Sequence, residues 1–112
     1  MAAPTTSLAS LETPLPSPQV LLQAARLAQQ LDRPILLDYY AETFSGKAVV
    51  AEDQETKDKL LMKSNDEYTS LIQKLYKVGD DYLILTENSI YIISGKVQKR
   101  KIQVGSLMSS ME

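Results

Sequence analysis

Residues 70–94 read SLIQKLYKVGDDYLILTENSIYIIS, and three runs within them are rich in Ile, Leu, Tyr and Val. The turn sequences GDD at residues 79–81 and ENS at residues 87–89 separate these runs. Strand-forming residues bounded by Gly, Asp, Asn and Ser predict a β-meander of three strands.

The three runs differ in how their apolar residues are arranged. Residues 70–78 mix polar and apolar side chains on both faces, which is typical of a strand half exposed to water. Residues 82–85 and 90–93 are apolar at every position, so both faces need cover from a second sheet, a barrel wall, a helix or another molecule. We expect so short a chain to leave part of this surface to a partner.

The composition restricts the chemistry that the chain can perform. Its 112 residues give room for one domain, and they include neither cysteine nor histidine. Disulfides, thiolate metal sites and a cysteine nucleophile are excluded, and the commonest general base is missing. The net charge of −2 and the pI near 5.1 argue against nucleic acid as a partner. We expect no enzyme and no cofactor.

The acidic turns of the meander offer the best remaining metal ligands. Asp80, Asp81 and Glu87 carry carboxylates of the kind that calcium binds. Calcium loops, however, place their ligands at alternating positions over a longer span, and Asp beside Gly is ordinary hairpin-turn chemistry. We therefore predict no metal site.

Residues 18–33 predict an amphipathic helix. Ser17 provides a capping hydroxyl, Pro18 suits the first helical position, and Pro34 ends the helix. Apolar residues recur between them at three- and four-residue spacing, and they are Val20, Leu21, Ala24, Leu27, Ala28 and Leu31. This helix either covers the open face of the sheet or docks on another subunit.

The remaining segments complete the predicted organisation. Residues 1–17, rich in Ala, Ser, Thr and Pro, predict an extended arm, residues 34–104 a small antiparallel β domain, and residues 105–112 a tail. Within that domain we predict strands at 35–40, 47–51 and 59–63, a hairpin loop at 42–46, and weak strand material at 96–97 and 101–104. The fold class is mainly β (α+β): a meander or barrel-like sheet preceded by one helix and an extended arm.

A basic run, GKVQKRK at residues 95–101, follows the meander. Its four cations either discourage edge-to-edge pairing of a solvated edge strand or contact phosphate or an acidic partner surface. No segment is long and apolar enough to span a bilayer, and the N-terminus lacks the basic and apolar regions of a secretory signal. We therefore expect a protein that is not secreted.

Three further runs carry a resemblance, namely ILLDYY at residues 35–40, KSNDEYTS at residues 63–70 and TENSIYI at residues 86–92. In that order they resemble short uncharacterised β-rich proteins encoded by large double-stranded DNA viruses of algae and protists. The resemblance covers residues 34–102, and no activity is attached to that family. It implies a minor component of a capsid lattice, found in the virion or in the host cytoplasm.

We expect a non-enzymatic structural protein, a minor capsid or cementing component that docks on other protein subunits through its arm and its apolar sheet surface. Self-association is a further option. The alternative is a soluble regulatory or adaptor protein whose basic strand or exposed sheet edge captures a protein partner. The residues expected to contact the partner lie in the arm, helix, meander and basic run, and they are Pro14, Leu15, Pro16, Leu21, Leu27, Tyr82, Ile84, Tyr91, Ile93, Lys99, Arg100 and Lys101.

Overall fold

The computed structural model describes residues 15–102, which form two helices and two four-stranded sheets. The helices are α1 (Pro18–Leu31) and α2 (Tyr40–Ser45). The strands are β1 (Ile35–Leu36), β2 (Val49–Asp53), β3 (Lys59–Ser64), β4 (Glu67–Tyr68), β5 (Ile72–Val78), β6 (Asp81–Thr86), β7 (Ile90–Ser94) and β8 (Gln98–Ile102). The first sheet has the order β1-β7-β6-β5 and the second the order β4-β3-β2-β8.

The predicted meander is confirmed as β5, β6 and β7, which are antiparallel neighbours. Val78 pairs with Asp81, so the β5–β6 hairpin has a two-residue loop. The first loop residue, Gly79, has a φ of 60°, as a type II′ hairpin turn requires, and glycine adopts this φ without steric cost. This tight turn fixes the register between β5 and β6.

The apolar residues of the meander are covered from both sides by the chain itself. Leu83, Leu85, Ile90 and Ile92 pack against α1 in one core cluster. Tyr82, Ile84, Tyr91 and Ile93 face the second sheet in another. The prediction that these last four form a docking surface is wrong for Ile84 and Ile93, which are 0% exposed, while Tyr82 and Tyr91 are half-buried against the same cluster. Folding the second sheet onto them removes them from water.

The predicted β-rich fold with one helix before the sheets is confirmed. It consists of two facing sheets, and both are mixed rather than purely antiparallel, because β1 pairs in parallel with β7 and β2 in parallel with β8. A third cluster lies on the other face of the second sheet and consists of Val49, Ala51, Leu60 and Met62.

The α1 helix begins as predicted, with the Ser17 hydroxyl accepting a hydrogen bond from the Val20 N–H at 3.2 Å and Pro18 in the first turn. It ends at Leu31, two residues earlier than predicted, because Asp32 adopts a left-handed conformation and donates its N–H to the Ala28 carbonyl. Val20 and Ala24 are fully buried, and α1 packs against β1, β6 and β7.

The segment after β1 differs most from the prediction. A strand over residues 35–40 and a loop over 42–46 were expected, whereas β1 stops at Leu36 and α2 occupies Tyr40–Ser45. Thr43 explains part of the difference, because its buried hydroxyl lies 2.7 Å from the Tyr39 carbonyl and accepts the Ser94 N–H at 3.0 Å. The α2 helix is thereby held against β7. Gly46 then ends it with a φ of 91°.

The end of the described chain also differs from the prediction. The weak strand piece expected at residues 96–97 is not a strand, and β8 runs over Gln98–Ile102, which covers residues 98–100 and the first two residues of the piece expected at 101–104. It pairs in parallel with β2, some 50 residues earlier in the chain, so no local sequence signal marks the pairing. The predicted tail, residues 103–104 and all of the predicted arm before Leu15 lie outside the described residues.

Candidate functional site

A groove runs between α1 and β5 on the outer face of the first sheet. It consists of two adjoining hollows of about 440 and 320 Å³ that share Leu27 and Tyr76. The apolar floor comes from β5 and β6 and includes Val78, Leu83 and Leu85. The groove exists because α1 packs over β1, β7 and β6, so the neighbouring surface of β5 is left open.

The helix wall of the groove is uncharged and combines glutamines with leucines. Gln19, Gln23 and Gln30 line it together with Leu27 and Leu31. Residues four or seven positions apart share one face of a helix, so the burial of Val20 and Ala24 places these glutamines beside the β5 strand.

The β5 strand forms the other wall, and it is an edge strand seven residues long. Its side chains are exposed on both faces of the sheet, with Leu75 and Tyr76 each 40% exposed. The two-residue loop makes Val78 and Asp81 a hydrogen-bonded pair, and hydrogen-bonded pairs alternate along an antiparallel ladder. Tyr76 therefore directs its backbone N–H and C=O to β6, whereas Leu75 and Lys77 direct theirs to the free edge.

The charged residues along the groove and the edge are all basic. Arg33 and Lys74 line one hollow, Lys77 borders the other with its side chain on the opposite face of the sheet, and no carboxylate lines either hollow among the described residues. Arg33 is held in place because it donates to the Thr86 carbonyl at 2.8 Å and to the Gln73 side-chain oxygen at 3.3 Å. Within residues 15–102, none of the three cations has a carboxylate within ion-pair distance, although Lys77 lies 5.2 Å from the centre of the Tyr82 ring.

The structure brings together only a few of the residues predicted to contact a partner. Leu27 lines the groove, Leu21 is exposed elsewhere on α1, and Leu15 is 80% exposed just before it. Pro16 is buried, and Pro14 lies outside the described residues. Sequence reasoning missed the other apolar groove residues, of which Tyr76 is the most exposed, and the mixed polarity of residues 70–78 was the sequence signal for it.

The basic run does not form one patch. Along β8, Lys99 pairs with Val50 and Arg100 with Ala51, so their side chains point to opposite faces of the second sheet. Lys101 makes an ion pair with Glu52 at 3.4 Å, and Lys96 lies 4.5 Å from the centre of the Phe44 ring. Desolvation opposes ionisation of the Glu52 carboxyl, but the hydrogen bond and charge of Lys101, together with the charges of Lys59 and Lys57, lower its pKa. These cations are exposed but dispersed.

A second polar cluster surrounds Lys63 between the sheets and α2. Its ammonium group lies 2.7 Å from Glu42, 3.3 Å from Glu67 and 4.7 Å from the centre of the Tyr39 ring. Hydrogen bonding to Glu42 raises the pKa of Lys63, and burial raises the pKa of Tyr39 to about 12. A charged lysine and a protonated phenol offer no base near neutral pH, so this cluster serves packing rather than proton transfer.

One carboxylate of the acidic turns, that of Asp81, has a structural role. Asp81 is buried and accepts hydrogen bonds from the Ser17 N–H at 3.1 Å and the Tyr40 hydroxyl at 2.9 Å. Among residues 15–102, no three or more Asp and Glu side chains are grouped so as to hold a metal ion. In the same range no helix has the length and hydropathy that crossing a bilayer requires.

The chain was compared with protein-family models, with curated proteins and with solved structures, and it matches none of them.

Proposed function

We propose that this protein is a non-catalytic docking module that receives an extended segment of a partner protein along the free edge of β5. The observation that carries the proposal is the position of β5. It is an edge strand exposed on both faces, and an apolar groove lies directly beside it. Strand addition needs free backbone groups for affinity and adjacent pockets for alternate side chains of the partner.

Both requirements are met at β5. Leu75 and Lys77 direct backbone N–H and C=O groups to the free edge, as derived from the hairpin register. A partner strand on that edge would point every second side chain into the groove, over Tyr76 and Leu27. The side chains between them would lie on the opposite face of the sheet beside Leu75.

Amide hydrogen exchange tests this proposal directly. Decapeptides that bind the full chain are first selected from a random peptide-display library. When bound, they should protect the Leu75 and Lys77 amides from exchange, while the Tyr76 amide is protected already by β6. Leu75→Pro removes the outward donor and should abolish binding. Leu75→Thr keeps that backbone donor and should therefore retain binding. Failure to select any binder, or binders that leave both amides unprotected, would refute the proposal.

We propose that the partner segment belongs to another structural subunit, in a minor capsid or cementing role. The support is the resemblance of residues 34–102 to proteins of large DNA viruses, together with an exposed edge suited to lattice contacts. A fixed copy number in purified particles, measured by quantitative mass spectrometry, is the expected result. Recovery only from infected cytoplasm would favour a regulatory adaptor that uses the same edge.

A further inference from the structure

The chemistry of the partner segment follows from four consecutive residues of β5, Lys74-Leu75-Tyr76-Lys77. We infer that the β5 edge selects an extended acidic segment in which two apolar residues stand between two carboxylates. This inference rests on the proposed docking function and specifies its ligand.

Side chains along β5 alternate between the two faces of the first sheet. Lys74 and Tyr76 share the face of the sheet that carries α1, and Leu75 and Lys77 share the other. Each face therefore presents one apolar side chain and one cation. An added strand places one of its residues opposite each of these four, so apolar residues fit opposite Leu75 and Tyr76, and acidic residues opposite Lys74 and Lys77.

The pattern acidic–apolar–apolar–acidic reads the same in both chain directions. A partner running parallel or antiparallel to β5 therefore meets the same requirement. In the antiparallel case the residue before the first acidic one lies opposite Val78, where a further apolar side chain fits, because Val78 also lines the groove.

The charges around these positions are positive. Lys74 and Arg33 line the same hollow, so a carboxylate opposite Lys74 meets two cations. Among the described residues these cations have no carboxylate within ion-pair distance, in a chain whose net charge is −2. The local positive potential is thus uncompensated and favours an acidic ligand.

The same lysines argue against a second copy of this chain as the occupant. Two β5 strands paired edge to edge would bring four lysines into one strand pair, and lysines on an edge strand are a recognised obstacle to self-pairing. The carboxylates of an acidic segment would instead be attracted to these lysines.

The test uses three fluorescein-labelled peptides on the full chain. The acidic probe is Ser-Val-Glu-Phe-Val-Glu-Ser, and the neutral and basic probes carry Gln or Lys in place of both Glu residues. We expect the acidic peptide to bind about tenfold or more tightly than the neutral one in fluorescence polarisation at low salt. The preference for the acidic peptide should shrink at 0.5 M NaCl, because at that salt concentration charges are screened beyond roughly 4 Å.

Charge reversal supplies the matched variants. K74E/K77E should reverse the preference, so that the basic peptide binds better than the acidic one. K47E/K57E makes the same change in net charge at two exposed lysines outside the site and should leave the preference intact. Circular dichroism of all variants checks that they fold.

Three outcomes would overturn the inference. Equal binding of all three peptides, with Leu75 and Lys77 amides protected, removes the acidic preference but leaves the docking function standing. Absence of binding by every probe and every selected peptide would refute both the acidic preference and the docking function. A dimer in sedimentation that Leu75→Pro dissociates would identify a second copy as the occupant.

Discussion

The Tyr40 hydroxyl donates a hydrogen bond of 2.9 Å to Oδ1 of Asp81, and this bond joins α2 to the first residue of β6. The other carboxylate oxygen accepts the N–H of Ser17 at 3.1 Å, at the start of α1. The first turn of α1 contains no acidic residue, so Asp81 supplies the negative charge that a helix N-terminus favours. One buried carboxylate therefore fixes both helices on the sheet that forms the groove.

Replacing Asp81 should destabilise the fold. Asp81→Asn removes the charge and one of the two acceptor oxygens, so we expect the free energy of unfolding to fall by about 1–3 kcal/mol. The exposed neighbour Asp80 provides a matched control, and Asp80→Asn should change stability by less than about 0.5 kcal/mol. Urea denaturation of both variants measures the difference. Equal stability of the two would show that the buried carboxylate contributes nothing.

Stability should depend on pH in the alkaline range. Burial, and then the hydrogen bond to Asp81, raise the pKa of Tyr40 from 10.0 to about 12, and burial raises that of Tyr39 to about 12. The folded state holds these protons more tightly than the unfolded state, so their contribution is complete below pH 10 and is lost as the pH rises through 12.

Denaturation at a series of pH values between 8 and 12 measures this loss. We expect it to be on the order of 2 kcal/mol per tyrosine, and Tyr40→Phe should remove its share. An unchanged pH dependence in Tyr40→Phe would contradict the assignment.

Core and edge positions of the meander should respond differently to truncation. Ile84→Ala deletes a side chain that is 0% exposed and should cost about 2–5 kcal/mol. Leu75→Ala, on the edge strand, should cost less than about 1 kcal/mol, because that side chain is 40% exposed. Thermal and urea denaturation compare them. A large loss for Leu75→Ala would mean that this side chain is buried in solution.

The Lys63 cluster should contribute more than an ordinary surface pair. Lys63→Met removes contacts with Glu42 at 2.7 Å and with the Tyr39 ring, and we expect a loss of about 1 kcal/mol. Lys59 makes a longer ion pair with Glu52 at 3.9 Å, so Lys59→Met should lose less than about 0.5 kcal/mol. A double-mutant cycle with Glu42→Gln isolates the pair, and zero coupling would refute its role.

Glycine should be required after β7. A Cβ at Gly95 would overlap the backbone carbonyl of Asp80, so Gly95→Ala should destabilise the protein by more than about 3 kcal/mol or prevent its recovery in soluble form. At Gly46 a Cβ would meet only the Gln98 side chain at 3.8 Å, so only the φ of 91° opposes substitution. Gly46→Ala should therefore cost about 1–2 kcal/mol. Comparable soluble yields and melting temperatures would contradict this ranking.

Local chemistry determined the parts of the fold that could be predicted from the sequence. Ser17 and Pro18 set the start of α1, because a cap and a fixed φ act within one turn of the chain. Gly79 set the β5–β6 hairpin, because few other residues adopt its φ. The apolar runs of β6 and β7 showed that both faces are buried, and the mixed run of β5 showed partial exposure.

Long-range packing decided the rest. The pairing of β8 with β2, the helical conformation of α2, and the burial of Ile84 and Ile93 by the second sheet all join residues far apart in the chain. The sequence could show that the central strands need cover on both faces, but a pattern along one strand carries no information on which element supplies that cover. The groove beside Tyr76 likewise exists only because α1 lies over β6 and β7 and stops short of the edge, and that placement depends on the assembled core.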